Sequence, residues 1–245
     1  MANNLVTAFI KGLEGLKAAD TWMREISKGY DPLDIASQKY ADRVEERYNS
    51  MRVMGMTRPI SLRSIFVRVN ILKKITARQR ITLEDLEAFF DRDQKGFGQY
   101  EQTEAGLEMV NQFQKVIILG KPGCGKTTFL KHIALMALDN ELKEQRIPIF
   151  IVLKEWADSK LPLMDFIVKQ FDICRFPEAQ PFVERMLDKG KCLLLLDGFD
   201  EVGGDVKVAI QDIRDFSDKY SKNQFILRLH LRVVPSEYPV LLDSF

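Results

Sequence analysis

Gly120, Gly125, Lys126 and Thr127 stand at the spacing G-x-x-x-x-G-K-[ST] inside the run Val116-Ile-Ile-Leu-Gly-Lys-Pro-Gly-Cys-Gly-Lys-Thr-Thr128. The chemistry such a run could do is to hold phosphate. Glycines let the backbone curl with its amides pointing inward as an anion nest. A helix opening at the end of the turn adds its N-terminal dipole. Lys126 can reach the β- and γ-phosphates of a nucleotide, and the Thr127 hydroxyl can enter a Mg²⁺ shell. Lys121, Pro122, Gly123 and Cys124 complete the loop, and Thr128 could touch an α-phosphate. Cys124 reads as a loop residue rather than a nucleophile, although helix amides and Lys126 could give its thiol some thiolate character.

A second stretch, Leu193-Leu-Leu-Leu-Asp-Gly-Phe-Asp-Glu201, runs an apolar segment into three acids. Asp197, at the strand end, could hold Mg²⁺ directly or through water. Asp200 and Glu201 follow closely enough to orient an attacking water. Taken alone, this could be a strand ending in a solvated acidic turn. Beside the phosphate loop, a nucleotide–Mg²⁺ site is the better reading, with ATP or GTP as the nucleotide.

These residues need a scaffold, and the pattern from Val116 onward supplies one. Continuous apolar runs at Val116–Leu119, Pro148–Leu153, Cys192–Leu196 and Gln224–Leu229 alternate with amphipathic stretches at Lys126–Asp139, Leu163–Phe171, Ala179–Lys189 and Val206–Tyr220. Buried strands alternating with helices predict an α/β fold, a mostly parallel sheet flanked by crossover helices. The expected organisation is a helical N-terminal region at 1–50, a mixed lead-in and connector at 51–112, the nucleotide-binding core at 113–232 and an unassigned tail at 233–245. In the first region Leu5, Phe9, Leu13 and Leu16 recur at helical spacing, and Ile35–Tyr48 forms a charged helix beyond Asp31-Pro32. That pair has too little apolar surface to be a core of its own, so it should lean on another element. In the lead-in, Ser64–Leu72 reads as a strand and Thr82–Phe90 as a capped helix. Asp91–Gln102 reads as a hinge.

Composition narrows the classes. Of 245 residues, 46 % are hydrophobic and 29 % charged, which is globular material. Lys+Arg at 36 against Asp+Glu at 35 leaves no net charge that would point to nucleic acid. The basic run Met51–Arg80 is sparse in aromatics and reads as a solvated face. Phe89, Phe90, Phe97 and Tyr100 read as packing rather than adenine contacts. No apolar run could span a bilayer, and Lys11 interrupts the only apolar stretch near the N-terminus. Three cysteines at irregular spacing and two histidines argue against a disulfide framework and a zinc site. A reducing cytoplasm fits.

The loop Gly-Lys-Pro-Gly-Cys-Gly-Lys-Thr-Thr followed by Leu-Leu-Leu-Leu-Asp-Gly-Phe-Asp-Glu-Val resembles the NACHT domain of STAND-type signal-transduction P-loop NTPases. In that family the two runs are the Walker A loop and the Walker B strand. Asp34-Ile-Ala-Ser-Gln-Lys-Tyr, Met54-Gly-Met and Ile65-Phe-Val look like the lead-in of bacterial, particularly cyanobacterial, NACHT proteins, so the resemblance covers roughly Asp34 to Leu227. It implies an ATP- or GTP-driven switch that hydrolyses slowly, rests with diphosphate, self-associates with triphosphate and signals in defence or regulated cell death.

One segment departs from the family pattern. Similar proteins end the fourth strand in Thr/Ser-x-Arg, a sensor whose arginine would fall near position 230. Here the strand continues as Arg228-Leu-His-Leu-Arg232. With Val233–Phe245 unassigned and no fifth strand recognised, the expectation is a chain cut short, such as by a shifted reading frame, with Val116–Leu119 left as a sheet edge; a divergent short homologue is the alternative. Functionally this leaves a hydrolysing switch, a nucleotide-binding interaction module that no longer hydrolyses, or a fragment without function. A small-molecule P-loop kinase would need a substrate lid in place of the long N-terminal extension.

Overall fold

The computed structural model describes residues 32–51, 59–65, 70–72, 103–120, 122–176, 178–202 and 206–230. The expected Leu5–Leu16 helix, the Thr82–Phe90 helix, the Asp91–Gln102 hinge, the aromatic cluster and the tail lie outside the described residues, as does most of the basic run.

The described chain begins with α1 (Pro32–Tyr48), followed by the short strands β1 (Ser50–Met51) and β2 (Ile60–Ser61), helix α2 (Leu62–Ile65), and strands β3 (Asn70–Leu72) and β4 (Thr103–Ala105). Then come α3 (Gly106–Gln112), β5 (Lys115–Gly120), α4 (Lys126–Asp139), β6 (Ile147–Val152), α5 (Leu153–Ser159), α6 (Leu163–Ile173), α7 (Ala179–Asp188), β7 (Cys192–Asp197), a 3₁₀ turn (Phe199–Glu201), α8 (Val206–Lys219) and β8 (Gln224–His230).

β5, β8, β7 and β6 form one four-stranded sheet in that spatial order, and every pairing is parallel. The fold is therefore the α/β arrangement the apolar runs predict, with helices supplying each crossover. All six residues of β7 are buried, so this central strand is covered on both faces. That burial is why its run reads as continuous Leu rather than as an alternation. α4 packs against all four strands, burying Phe129, Leu130, Ile133, Ala134, Leu135, Ala137 and Leu138.

α1 leans on the core as its sparse apolar face requires. Its buried positions Ala36, Tyr40, Val44 and Tyr48 recur every four residues along one stripe. The Tyr40 hydroxyl donates to the Pro148 carbonyl at 2.6 Å, and its ring stacks on Phe171 with centroids 4.7 Å apart. Tyr48 stacks on Phe150 at 4.4 Å. Outside the apolar contact, Arg47 pairs with Glu155 at 2.6 Å.

The expected strand at Ser64–Leu72 is corrected in its first part. Leu62–Ile65 is a helical turn, and among the described residues of that stretch Asn70–Leu72 is extended, pairing antiparallel with Thr103–Ala105. Side chains decide this locally. Asn49 Oδ1 accepts from the Ser61 hydroxyl and the Arg63 amide, and the Ser64 hydroxyl donates to the Ser61 carbonyl. Arg63 then pairs with Glu45 of α1 and Asp139 of α4, an attachment that alternation in the sequence does not reveal.

The two ends of the main sheet are built differently. At its base, where strands begin, the Asn223 side chain accepts from the Cys192 amide at 3.0 Å and donates to the Leu187 and Tyr220 carbonyls at 2.7 and 2.8 Å. Gln224 donates to the Val110 and Phe113 carbonyls at the end of α3, and Arg146 donates to the carbonyls of Gly190 and Lys222. The other end carries the glycine loop and the acids.

Candidate nucleotide site

β5 delivers the chain to the loop, and its last residue, Gly120, lies in register with His230 at the end of β8. Gly123 and Gly125 adopt φ of 76° and 85°, which only glycine takes at little cost. Among the described residues, apart from the chain neighbours, no atom lies within 4 Å of where a Cβ would stand on either, so that side of the turn is open. α4 starts at Lys126 with no side-chain cap, and its first turn closes through the Phe129 amide to the Gly125 carbonyl at 2.8 Å. A turn of left-handed glycines leading into an uncapped helix start is the geometry of an anion nest.

Pro122, Gly123, Cys124 and Gly125 are exposed, whereas Lys126 is 6 % exposed, with Nζ 3.6 Å from Cys124 Sγ. Thr127 and Thr128 are half-buried. Lys121 lies outside the described residues. Cys174 and Cys192 are buried and free, and burial pushes both thiols up, so neither is activated.

Seventy positions along the chain, β7 ends in Asp197, and the fold brings the two motifs together there: the Thr127 hydroxyl donates to Asp197 Oδ1 at 3.1 Å. Asp197 is 7 % exposed, and its carboxyl is held above the ordinary range, chiefly by burial. The Arg228 cation and the Thr127 hydrogen bond pull it down, Glu201 pushes it up and Lys131 again opposes the rise. A hydroxyl and a buried carboxylate side by side are hard oxygen donors that suit Mg²⁺, leaving other positions to water and phosphate oxygen. Among the described residues no cluster of three His, Cys, Asp or Glu side chains forms a metal cage, so such an ion would depend on the nucleotide as well.

Glu201 sits in the 3₁₀ turn, and its carboxylate Oε1 is 3.4 Å from Arg228 Nη1. Asp200 lies in the same turn; its side chain lies outside the described residues. The residue that motif reading passes over is Arg228 itself. It lies on β8, is 9 % exposed, and places Nε 3.5 Å from Asp197 Oδ1. An isolated arginine inside an otherwise apolar strand, Phe225-Ile-Leu-Arg-Leu, was the available signal, because a buried guanidinium needs a carboxylate.

A family model described as the NACHT domain matches residues 114–243, more than half of the chain. The chain belongs to the NACHT family. The NACHT match begins one residue before β5 and takes in the glycine loop, Asp197 and β8 together, so the family spans the same unit that the parallel sheet defines. It also continues through most of the stretch after Arg232 that carries no recognisable motif. No curated protein matches the chain significantly. A NACHT domain is a P-loop NTPase module, so nucleotide binding follows from membership. Among the described residues no helix is long and apolar enough to cross a membrane.

Proposed function

We propose that this NACHT chain binds ATP or GTP as its Mg²⁺ complex and hydrolyses it slowly, as the nucleotide switch of a STAND-type signalling or defence protein working in the cytoplasm. The observation that carries the reading is the 3.1 Å contact between the Thr127 hydroxyl and Asp197, which unites two motifs into one site. In this reading the Gly120–Thr128 loop, with Lys121, Pro122, Gly123, Cys124 and Gly125, wraps phosphate oxygens with backbone amides, and Lys126 supplies a charge-assisted contact. Thr127 and Asp197 hold the metal, and Asp200 and Glu201 position the attacking water. Bound Mg²⁺ would screen charge on the phosphates and polarise them. Self-association in the triphosphate form belongs to the same reading.

Titration of a fluorescent ATP analogue against the parent and Lys126→Ala tests this. Loss of about 100-fold in affinity or more is expected when a buried charge partner of phosphate is removed. Equal affinities would remove the phosphate-loop assignment.

A second reading, a nucleotide-binding module that does not hydrolyse, is favoured by the Glu201 carboxylate lying against Arg228. Phosphate release measured separately from binding distinguishes the two. In the hydrolysing switch, Asp200→Asn or Glu201→Gln keeps binding and stops turnover; in the module, the parent has no turnover to lose.

A further inference from the structure

A cation already stands at the proposed metal position. Asp197 Oδ1, the oxygen that accepts the Thr127 hydroxyl at 3.1 Å, also lies 3.5 Å from Arg228 Nε. The other end of the same guanidinium reaches Glu201 Oε1 at 3.4 Å. Arg228 pairs with Ile118 of β5, and the residue before it, Leu227, pairs with Leu196 of β7, so the strand holds its backbone in place. With 9 % exposure, its charge is weakly screened by water.

From this arrangement we infer that Arg228 is a resident counter-ion that competes with the divalent cation for Asp197. The inference rests on the nucleotide reading above and deepens it. A divalent ion entering between Thr127 and Asp197 meets a fixed positive charge within a poorly solvated pocket, where like charges repel strongly. Metal affinity is lowered accordingly, and the guanidinium must turn toward Glu201 or toward phosphate to admit the ion. Without metal, the same charge neutralises Asp197, which would otherwise repel a nucleoside diphosphate. A diphosphate can therefore enter the site before the metal does, and the metal then adds its own share of the affinity. If Arg228 only braced the two carboxylates in place, removing it would scatter them and weaken metal binding, the opposite sign.

The test uses the full chain with Mn²⁺ as a spectroscopic stand-in for Mg²⁺. Mn²⁺ is titrated by electron paramagnetic resonance at saturating ADP, and a fluorescent ADP analogue is titrated in EDTA, for the parent, Arg228→Gln and Arg228→Met. Removing a buried like charge should tighten Mn²⁺ binding about tenfold and weaken metal-free nucleotide binding. Unchanged or weaker Mn²⁺ binding in the neutral variants overturns the inference. Arg228→Met, whose apolar stem suits the buried site, decides the matter should Arg228→Gln fail to fold. Lys126→Ala separates the two layers: a parent that binds ADP no better than Lys126→Ala defeats the nucleotide reading and this inference with it. A parent that binds, with neutral variants that bind Mn²⁺ identically, defeats the inference alone.

Discussion

The two ends of one parallel sheet are finished in opposite ways. At the base, buried amide side chains saturate the backbone: Asn223 makes three hydrogen bonds and Gln224 closes the end of α3. At the other end, two left-handed glycines stand on an open side of their turn, a helix starts uncapped, and a carboxylate is buried beside a guanidinium. The base exchanges its polar groups for stability, whereas the site end keeps amides and charges available for a ligand. The glycine loop, the start of α4 and the Thr127–Asp197 pair all lie at that second end, which makes it the candidate end for a ligand.

The comparison breaks if base substitutions act on ligand binding, or site substitutions on folding. The largest expected effect is at Asn223. Asn223→Ala removes three buried hydrogen bonds and should cost about 3 kcal/mol of unfolding free energy in urea denaturation, with nucleotide affinity unchanged in the folded fraction. An affinity loss there would mean the base and the site are coupled.

Next comes a pair of glycines. A Cβ on Gly190, at φ 67°, would stand 2.7 Å from the Lys222 carbonyl oxygen, so Gly190→Ala should destabilise by about 2 kcal/mol or more. Gly123 has a similar φ of 76° but, among the described residues beyond its chain neighbours, nothing near its Cβ position, so Gly123→Ala should cost only about 1 kcal/mol of backbone strain while weakening nucleotide binding. Thermal melts with and without ADP measure both. Equal destabilisation by the two would erase the contrast.

The smallest effect is a pH dependence. Burial raises the Asp197 carboxyl above 3.8, so the folded state binds that proton more tightly than the unfolded chain. Stability contributed by this group is then fully present at acid pH, where the unfolded carboxyl is also protonated, and is lost as pH rises through the raised value. Asp197→Asn cannot titrate. Its stability relative to the parent, in EDTA, should therefore improve as pH rises from acid to neutral. A difference that stays flat or moves the other way would contradict the buried-charge account of this position.

How much of this was legible in the sequence follows from the range of each interaction. The glycine loop and α4 were readable because their determinants are contiguous, and the helix boundaries expected at Lys126–Asp139 coincide with α4. The four core strands were readable because burial on both faces leaves continuous apolar runs, as in Leu193–Leu196. Asp197 was readable as a strand-end acid, but not its 3.1 Å contact with Thr127. Arg228 was passed over because its partners, Asp197 and Glu201, sit on a different strand and turn, while the family pattern drew attention to position 230 instead. The strand expected from Ser64 failed at its start because side chains of Asn49 and Ser61, several residues away, fix a helical turn. Tyr40 looked like one aromatic on a charged helix, yet its partner carbonyl lies 108 positions on.

In the proposed site, Thr127 and Asp197 together hold the metal of a bound nucleotide. A double-mutant cycle with Thr127→Val, Asp197→Asn and the double variant addresses it, with fluorescent ATP analogue affinity measured in Mg²⁺ and again in EDTA. If both side chains serve one ion, each single variant should lose most of the Mg²⁺-dependent affinity. The double variant should then lose little more, with a coupling of about 1 kcal/mol or above that vanishes in EDTA. Losses that simply add, or that persist unchanged in EDTA, would contradict a shared metal position.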